Sequence, residues 1–215
     1  MERRLLHIFL FCSLLVFVYA GGASARDRVE TGRADQKPAL RFTYGLEWGC
    51  LTTLNIAYHR NYDSVEGFRI NAKNVEWMFK GNGQVLAHVG CDIGRRFNLS
   101  LYSGYAGMLG SRVIPVSLRG TCLVGKNPEL PGWLVFLDGG CHFATDDDRV
   151  GVCGKMGTGY RLPLSGRISL DFLAGLRLSY TKLSFSDDYG QVSADRIRRN
   201  NNFATSIEIG ISLAF

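Results

Sequence analysis

The sequence predicts an all-β fold, an eight-stranded antiparallel up-and-down transmembrane β-barrel preceded by a cleaved leader. Three observations predict it. Eight segments alternate apolar and polar side chains with a period of two; the aromatic side chains of the apolar parity gather toward the segment ends; and the N-terminus is laid out as a secretory signal. A content of 46% hydrophobic and 20% charged residues is too apolar for a disordered chain. Twenty-six glycines, thirteen phenylalanines and nine tyrosines beside five prolines suit pleated strands joined by tight turns.

In chain order, Glu2-Arg3-Arg4 is a basic start, Leu5 to Ala20 is apolar, and Ala23-Ser24-Ala25 offers the small side chains a signal peptidase needs, so residues 1–25 are expected to be removed. The apolar run is short for a spanning helix, which needs roughly 20 residues. Phe11 before Cys12 argues against lipid attachment. Residues 26–39, polar and containing Gly32 and Pro38, read as a disordered lead-in to a barrel domain at 40–215. The formal charge of +6 is scattered rather than clustered, so nucleic acid is not an expected partner. Cys50, Cys91, Cys122, Cys141 and Cys153 have no C-x-x-C spacing and read as small apolar side chains, with no disulfide framework, metal or cofactor expected.

The first strand is long: Phe42, Tyr44, Leu46, Trp48, Cys50, Leu54, Ile56 and Tyr58 share one parity, and Arg41, Thr43, Glu47, Thr53, Asn55 and His59 the other. The second carries Val85, Ala87, Val89, Cys91 and Ile93, and the parity of Val75, Trp77 and Phe79 extends it back to about residue 74. Six more follow, marked by Phe97 to Tyr105, Ile114 to Val124, Trp133 to Phe143, Val150 to Tyr160, Ile168 to Tyr180 and Phe203 to Phe215. Eight strands close antiparallel. With a periplasmic N-terminus, Gly94–Arg96, Lys126–Gly132 and Leu162–Ser165 are short periplasmic turns. Residues 61–73 and 185–201 are then long external loops, with Leu109–Ser111 and Ala144–Arg149 shorter ones.

Alternation alone does not distinguish this barrel from a soluble one with its apolar face inward. Three features turn the apolar face outward. Tyr44, Trp48, Phe97, Trp133, Tyr160 and Phe215 fall near one boundary, and Tyr58, Tyr105, Phe143, Tyr180 and Phe203 near the other, as two interfacial girdles. That face holds too many rings for an eight-stranded lumen. The opposite parity pairs Glu47, Asp92, Asp138, Asp171 and Glu208 with Arg41, Arg119, Lys155, Arg161 and Arg177, a balance that a confined core requires and a solvated surface does not.

The run Phe203 to Phe215, alternating and ending on Phe, resembles the last-strand signal of outer-membrane barrels. With the leader and eight strands, the chain resembles the small barrels of the outer membrane protein A and X type. The resemblance implies an outer-membrane address in a Gram-negative cell, recognition of Phe215 by the barrel-assembly machinery, and a monomer among outer-membrane lipids and lipopolysaccharide.

The candidate site is a lumen ionic cluster of Glu47, Arg119, Asp138, Lys155, Asp171, Arg177 and Glu208, with His88 at similar height. Glu47 and Glu208 lie on strands that pair on closure, so Arg119 or Lys155 is expected between them. The structural reading, a polar core that seals the barrel, outweighs the functional one, a salt-bridge gate for small ions resembling the lumen of the outer membrane protein A barrel. His88 and Asp92, like Asp138 and His142, are four strand residues apart, about 13 Å, too far for a bonded dyad, and no His-x-Ser spacing accompanies His59. A second candidate is the external loop bearing Asp187, Asp188, Tyr189, Asp195, Arg196, Arg198 and Arg199, for an unknown surface ligand; Arg196, Arg198 and Arg199 are also placed to hold lipopolysaccharide phosphates. The expected function is structural or cell-surface interaction without catalysis, with a small gated pore and a lipid-modifying enzyme as alternatives.

Overall fold

The computed structural model describes residues 41–124, 130–145, 150–165, 168–182, 186–187 and 190–215. The expected leader (1–25) and lead-in (26–39) lie outside them. Eight long strands, β1 (Arg41–Asp63), β2 (Arg69–Ile93), β3 (Phe97–Met108), β4 (Ser111–Val124), β5 (Gly132–Ala144), β6 (Val150–Ser165), β7 (Ile168–Thr181) and β8 (Ile197–Ala214), each pair antiparallel with the next, and β1 closes on β8.

The register sets the barrel's shape. From Gly45, successive partners are His88, Tyr102, Ser117, Gly140, Cys153, Ser179, Ala204 and then Ile56. One circuit therefore returns to β1 eleven positions further along, from Gly45 to Ile56, with one position absorbed by an irregularity at Thr53/Asn55. A stagger of this size over eight strands tilts them by roughly 40° from the axis.

Every strand then sorts its side chains the same way. Trp48, Val89, Leu101, Leu118, Trp133, Val152, Phe172 and Ile209, one from each strand, are exposed on the outside. Glu47, His88, Ser100, Arg119, Asp138, Lys155, Asp171 and Glu208, again one per strand, are buried within. Apolar side chains exposed all round a closed ring need lipid, because water would penalise each of them, and the closed ladder leaves no unpaired backbone edge within the bilayer. The chain is an eight-stranded antiparallel up-and-down transmembrane β-barrel. At the end carrying the Gly94–Arg96 turn, Tyr44 stacks on Phe215 at 5.4 Å and Trp133 meets Tyr160 edge-on at 5.4 Å, the pairs an interfacial ring needs. Phe215 also exchanges both backbone hydrogen bonds with Tyr44, at 2.8 and 3.2 Å, which extends the seam between β1 and β8 to the last residue.

Several expectations are corrected. The irregularity at Thr53/Asn55 reverses the facing of β1: Ile56, expected outside, is 9% exposed and lies opposite the buried Ala204, and Tyr58 lies opposite the buried Asn202. Tyr58 therefore leaves the outer girdle, and its ring sits under the Arg60 guanidinium at 4.4 Å. Residues 61–73 are not a long loop, because β1 and β2 run on as a hairpin closed by residues 64–68, with Gly67 at φ 88°. Residues 197–201 are likewise strand, preceded by a 3-10 turn (Ala194–Arg196) and a two-residue ladder of Ser186–Asp187 with Gly190–Gln191. Leu162–Ser165 belongs to β6, which places that connection at residues 166–167, outside the described ones. Residues 125–129 and 146–149 of the other predicted connections also lie outside them.

The result is asymmetric. β3 pairs with β2 only as far as Gln84, and β7 with β8 only from Asn202, whereas β1 pairs with β2 up to Asp63 and with β8 up to Tyr62. A three-stranded sheet of β2, β1 and β8 thus projects past the rim. The lumen is also more apolar than the sequence suggests: Leu134, Phe136 and Leu173 cluster on the turn side, and Ala106, Met108 and Val113 beside the β3–β4 turn.

Candidate functional site

The register places charges before any side chain reaches across. Arg119 lies directly opposite Asp138, Asp138 opposite Lys155, and Lys155 opposite Arg177, so one inward row crosses β4, β5, β6 and β7. Three bases and one acid in a row would repel. The tilt brings Glu47 and Glu208 from the other wall to complete the balance, three acids against three bases.

Glu47, 0% exposed, is the centre. It accepts from Arg119 Nη1 at 2.5 Å and Nη2 at 3.2 Å, from Lys155 Nζ at 3.2 Å and from Gln84 Nε2 at 3.4 Å. Arg119, 2% exposed, also donates through Nε to Asp138 at 3.1 Å. Lys155 bridges to Glu208 at 2.8 Å and approaches Asp138 at 3.9 Å. Gln84 donates to Glu208 at 2.5 Å and accepts from Arg177 Nη1 at 3.5 Å. A buried charge is tolerated only when paired and hydrogen-bonded, and this lattice supplies both for Glu47 and Arg119. The Arg119 guanidinium also lies over the Tyr102 ring at 3.8 Å and near the Phe136 ring at 4.9 Å, and the His88 ring stacks on Tyr102 at 4.7 Å.

The structure thus joins Glu47, Arg119, Asp138, Lys155 and Glu208, and attaches Arg177 through Gln84. Asp171 is separated from them: Arg161, directly opposite on β6, holds it with two hydrogen bonds of 2.7 Å. A third polar group on the turn side is Asn98, which donates to Thr43 at 2.9 Å and to Asp92 at 2.8 Å. Gln84, Tyr102 and Phe136 were missed by sequence reasoning. All three share the inward parity, which was the available signal, but an amide and two rings carry no charge that demands a partner.

The network divides the lumen. On the turn side a vestibule of about 360 Å³, lined by Arg41, Asp92, Asn98, Arg161 and Asp171 among others, ends on Arg119, Tyr102 and Phe136. On the other side of the network a pocket of about 10 Å³ lies beside Lys155 and Arg177. Among the described residues no group of three His, Cys, Asp or Glu side chains is placed to hold a metal ion. The ring nitrogens of the buried His88 and His142 make no hydrogen bond, so neither is coupled to Asp92 or Asp138 as a dyad.

The loop candidates disperse. Arg198 is paired with Asp63 through two bonds of 3.1 and 3.0 Å, Arg199 approaches His59, and Arg196 ends the 3-10 turn. Asp187 is placed only as backbone opposite Gly190, and Asp188 and Tyr189 lie outside the described residues.

Neither a protein-family model nor a curated protein matches the chain. Among solved structures it is similar to Neisserial surface protein A, with 11% identity and a TM-score of 0.42 over 82% of this chain and 99% of that one. It is also similar to the outer membrane protein OprG from Pseudomonas aeruginosa, with 9% identity and a TM-score of 0.46 over 80% and 95%. A third is the outer membrane protein AlkL in DMPC lipid bilayers, with 13% identity and a TM-score of 0.38 over 86% and 96%. All three of these solved structures are small outer-membrane β-barrels.

Proposed function

We propose that the protein is an outer-membrane barrel of a Gram-negative cell whose role is structural and surface-interacting, without catalysis. The observation that carries this reading is the projecting sheet: the barrel lifts the β1–β2 hairpin beyond its rim, and the tip presents Val65 and Phe68 exposed rather than packed. Exposed apolar side chains at a raised tip suit contact with a partner surface. Cells displaying the chain with Val65→Ser and Phe68→Ser should lose adhesion or cell–cell clumping seen with the wild type while keeping the same folded barrel in their membranes. Unchanged adhesion at equal surface amount would count against the reading.

A second reading, a small gated pore, is favoured by one feature. Arg119 is bonded at once to Glu47 and Asp138, and Lys155 to Glu47 and Glu208, so both bases have an alternative partner if Glu47 is released. Conductance separates the two readings.

A further inference from the structure

We propose that the outward face of the projecting sheet is a binding site for the headgroup of an anionic, phosphate-bearing lipid of the outer leaflet, of the lipopolysaccharide class. The inference rests on the outer-membrane reading and adds a ligand and a site to it.

The face changes character within one row of cross-strand neighbours. Val75, Ala57 and Phe203 lie side by side on β2, β1 and β8, and just below them Trp77 and Phe79 point outward, 73% and 82% exposed. The next row up is Lys73, His59 and Asn201, and the one after is Asn71, Asn61 and Arg199. Rows two residues apart are about 7 Å apart along the strand, or roughly 5 Å in height at this tilt. Apolar surface therefore gives way to basic surface within one headgroup's reach, the profile of an interface where acyl chains end and phosphates begin.

The basic rows lack a carboxylate of their own. His59 Nε2 donates to Asn71 Oδ1 at 3.0 Å, and Arg199 Nη1 lies 3.5 Å from His59 Nδ1, which ties the arginine to this face. Lys73 is directly opposite His59. Of the acids on the paired stretches of β1 and β2 beside these rows, Glu76 is on the opposite face, across from Ile56, and Asp63 is held by Arg198. Two cations flank an amide-lined strip and face outward above two aromatic rings. Phosphate oxygens complement that strip, with acyl chains lying against Trp77 and Phe79.

The test uses the mature chain in phosphatidylcholine nanodiscs doped with phosphorylated lipid A, and in a parallel set with dephosphorylated lipid A, counting the glycolipid that stays bound after gentle detergent extraction. Lys73→Ala with Arg199→Ala should lower retention of the phosphorylated lipid roughly tenfold, while Arg95→Ala with Arg96→Ala at the opposite rim leaves it unchanged and the dephosphorylated lipid is held weakly by all. Gel mobility of the unheated samples confirms equal folding. Full retention by the Lys73/Arg199 variant, equal loss in the Arg95/Arg96 variant, or equal binding of the dephosphorylated lipid would each overturn the proposal. Failure of the wild type to enter the nanodisc bilayer would instead overturn the membrane reading beneath it.

Discussion

Arg119 concentrates the energetics of the lumen in one side chain. Truncating it leaves Glu47 and Asp138 buried with their strongest donor gone, and an uncompensated buried charge costs about 3–5 kcal/mol. Arg119→Ala should therefore lower the urea midpoint of the lipid-reconstituted barrel, followed by tryptophan emission, whereas Arg119→Met with Glu47→Leu should recover part of the loss, because Glu47 no longer brings a charge while Asp138 keeps Lys155 at 3.9 Å. A midpoint unmoved by Arg119→Ala would mean the network adds nothing to stability. This core was partly legible in the sequence for a physical reason. Glu47, Arg119, Asp138, Lys155 and Glu208 are charges on the confined parity, and confinement forces them together. Asp171 was drawn into the group by the same logic, yet its height on β7 matches Arg161 across the strand, and two hydrogen bonds there satisfy it first. Gln84 stayed hidden because an amide fits a lumen or a surface equally well, although here it serves both Glu208 and Arg177.

At the level of elements, short connections were read more securely than long ones. The β3–β4 link is two residues, Leu109 at φ 55° and Gly110 at φ 93°, the pair of positive angles that matches strand twist in a tight hairpin. Leu109 tolerates its angle while packing against Ala106, Met108 and Val113. Gly110 has no such compensation, and a Cβ there would also meet Lys80 Nζ at 2.7 Å. Gly110→Ala should cost about 1–2 kcal/mol through backbone strain, read as a lower urea midpoint with the barrel still formed; no change would show that the turn relaxes freely. The predicted loops at 61–73 and 185–201 failed because polar residues continue a strand beyond the bilayer as readily as they form a loop, once neighbours supply ladder bonds. The irregularity in β1 was invisible for a related reason. Leu54, Ile56 and Tyr58 prolong the apolar alternation through it, and only the pairing with Ala204 and Asn202 shows that the faces have exchanged.

For the whole molecule, the decisive property is whether the lumen is continuous, and the ion-pair network stands across it. An ion entering the 360 Å³ vestibule would pass the Arg161–Asp171 pair and meet Arg119, Tyr102 and Phe136. To pass it must part Glu47 from Arg119 and Lys155 together, since both bases share its carboxylate. The Tyr102 and Phe136 rings lie 3.8 and 4.9 Å from the guanidinium carbon, so thermal parting is opposed by packing as well as by charge. The reconstituted wild type should accordingly carry no sustained current in a planar bilayer. Glu47→Gln keeps the volume but removes the shared charge, which leaves Arg119 to Asp138 and Lys155 to Glu208, and brief current steps should then appear. Sustained steps in the wild type would favour the gated pore. Silence in both would place the barrier in the rings and Leu134 rather than in the ion pairs, and Leu134→Ala with Phe136→Ala would then be the change that opens it.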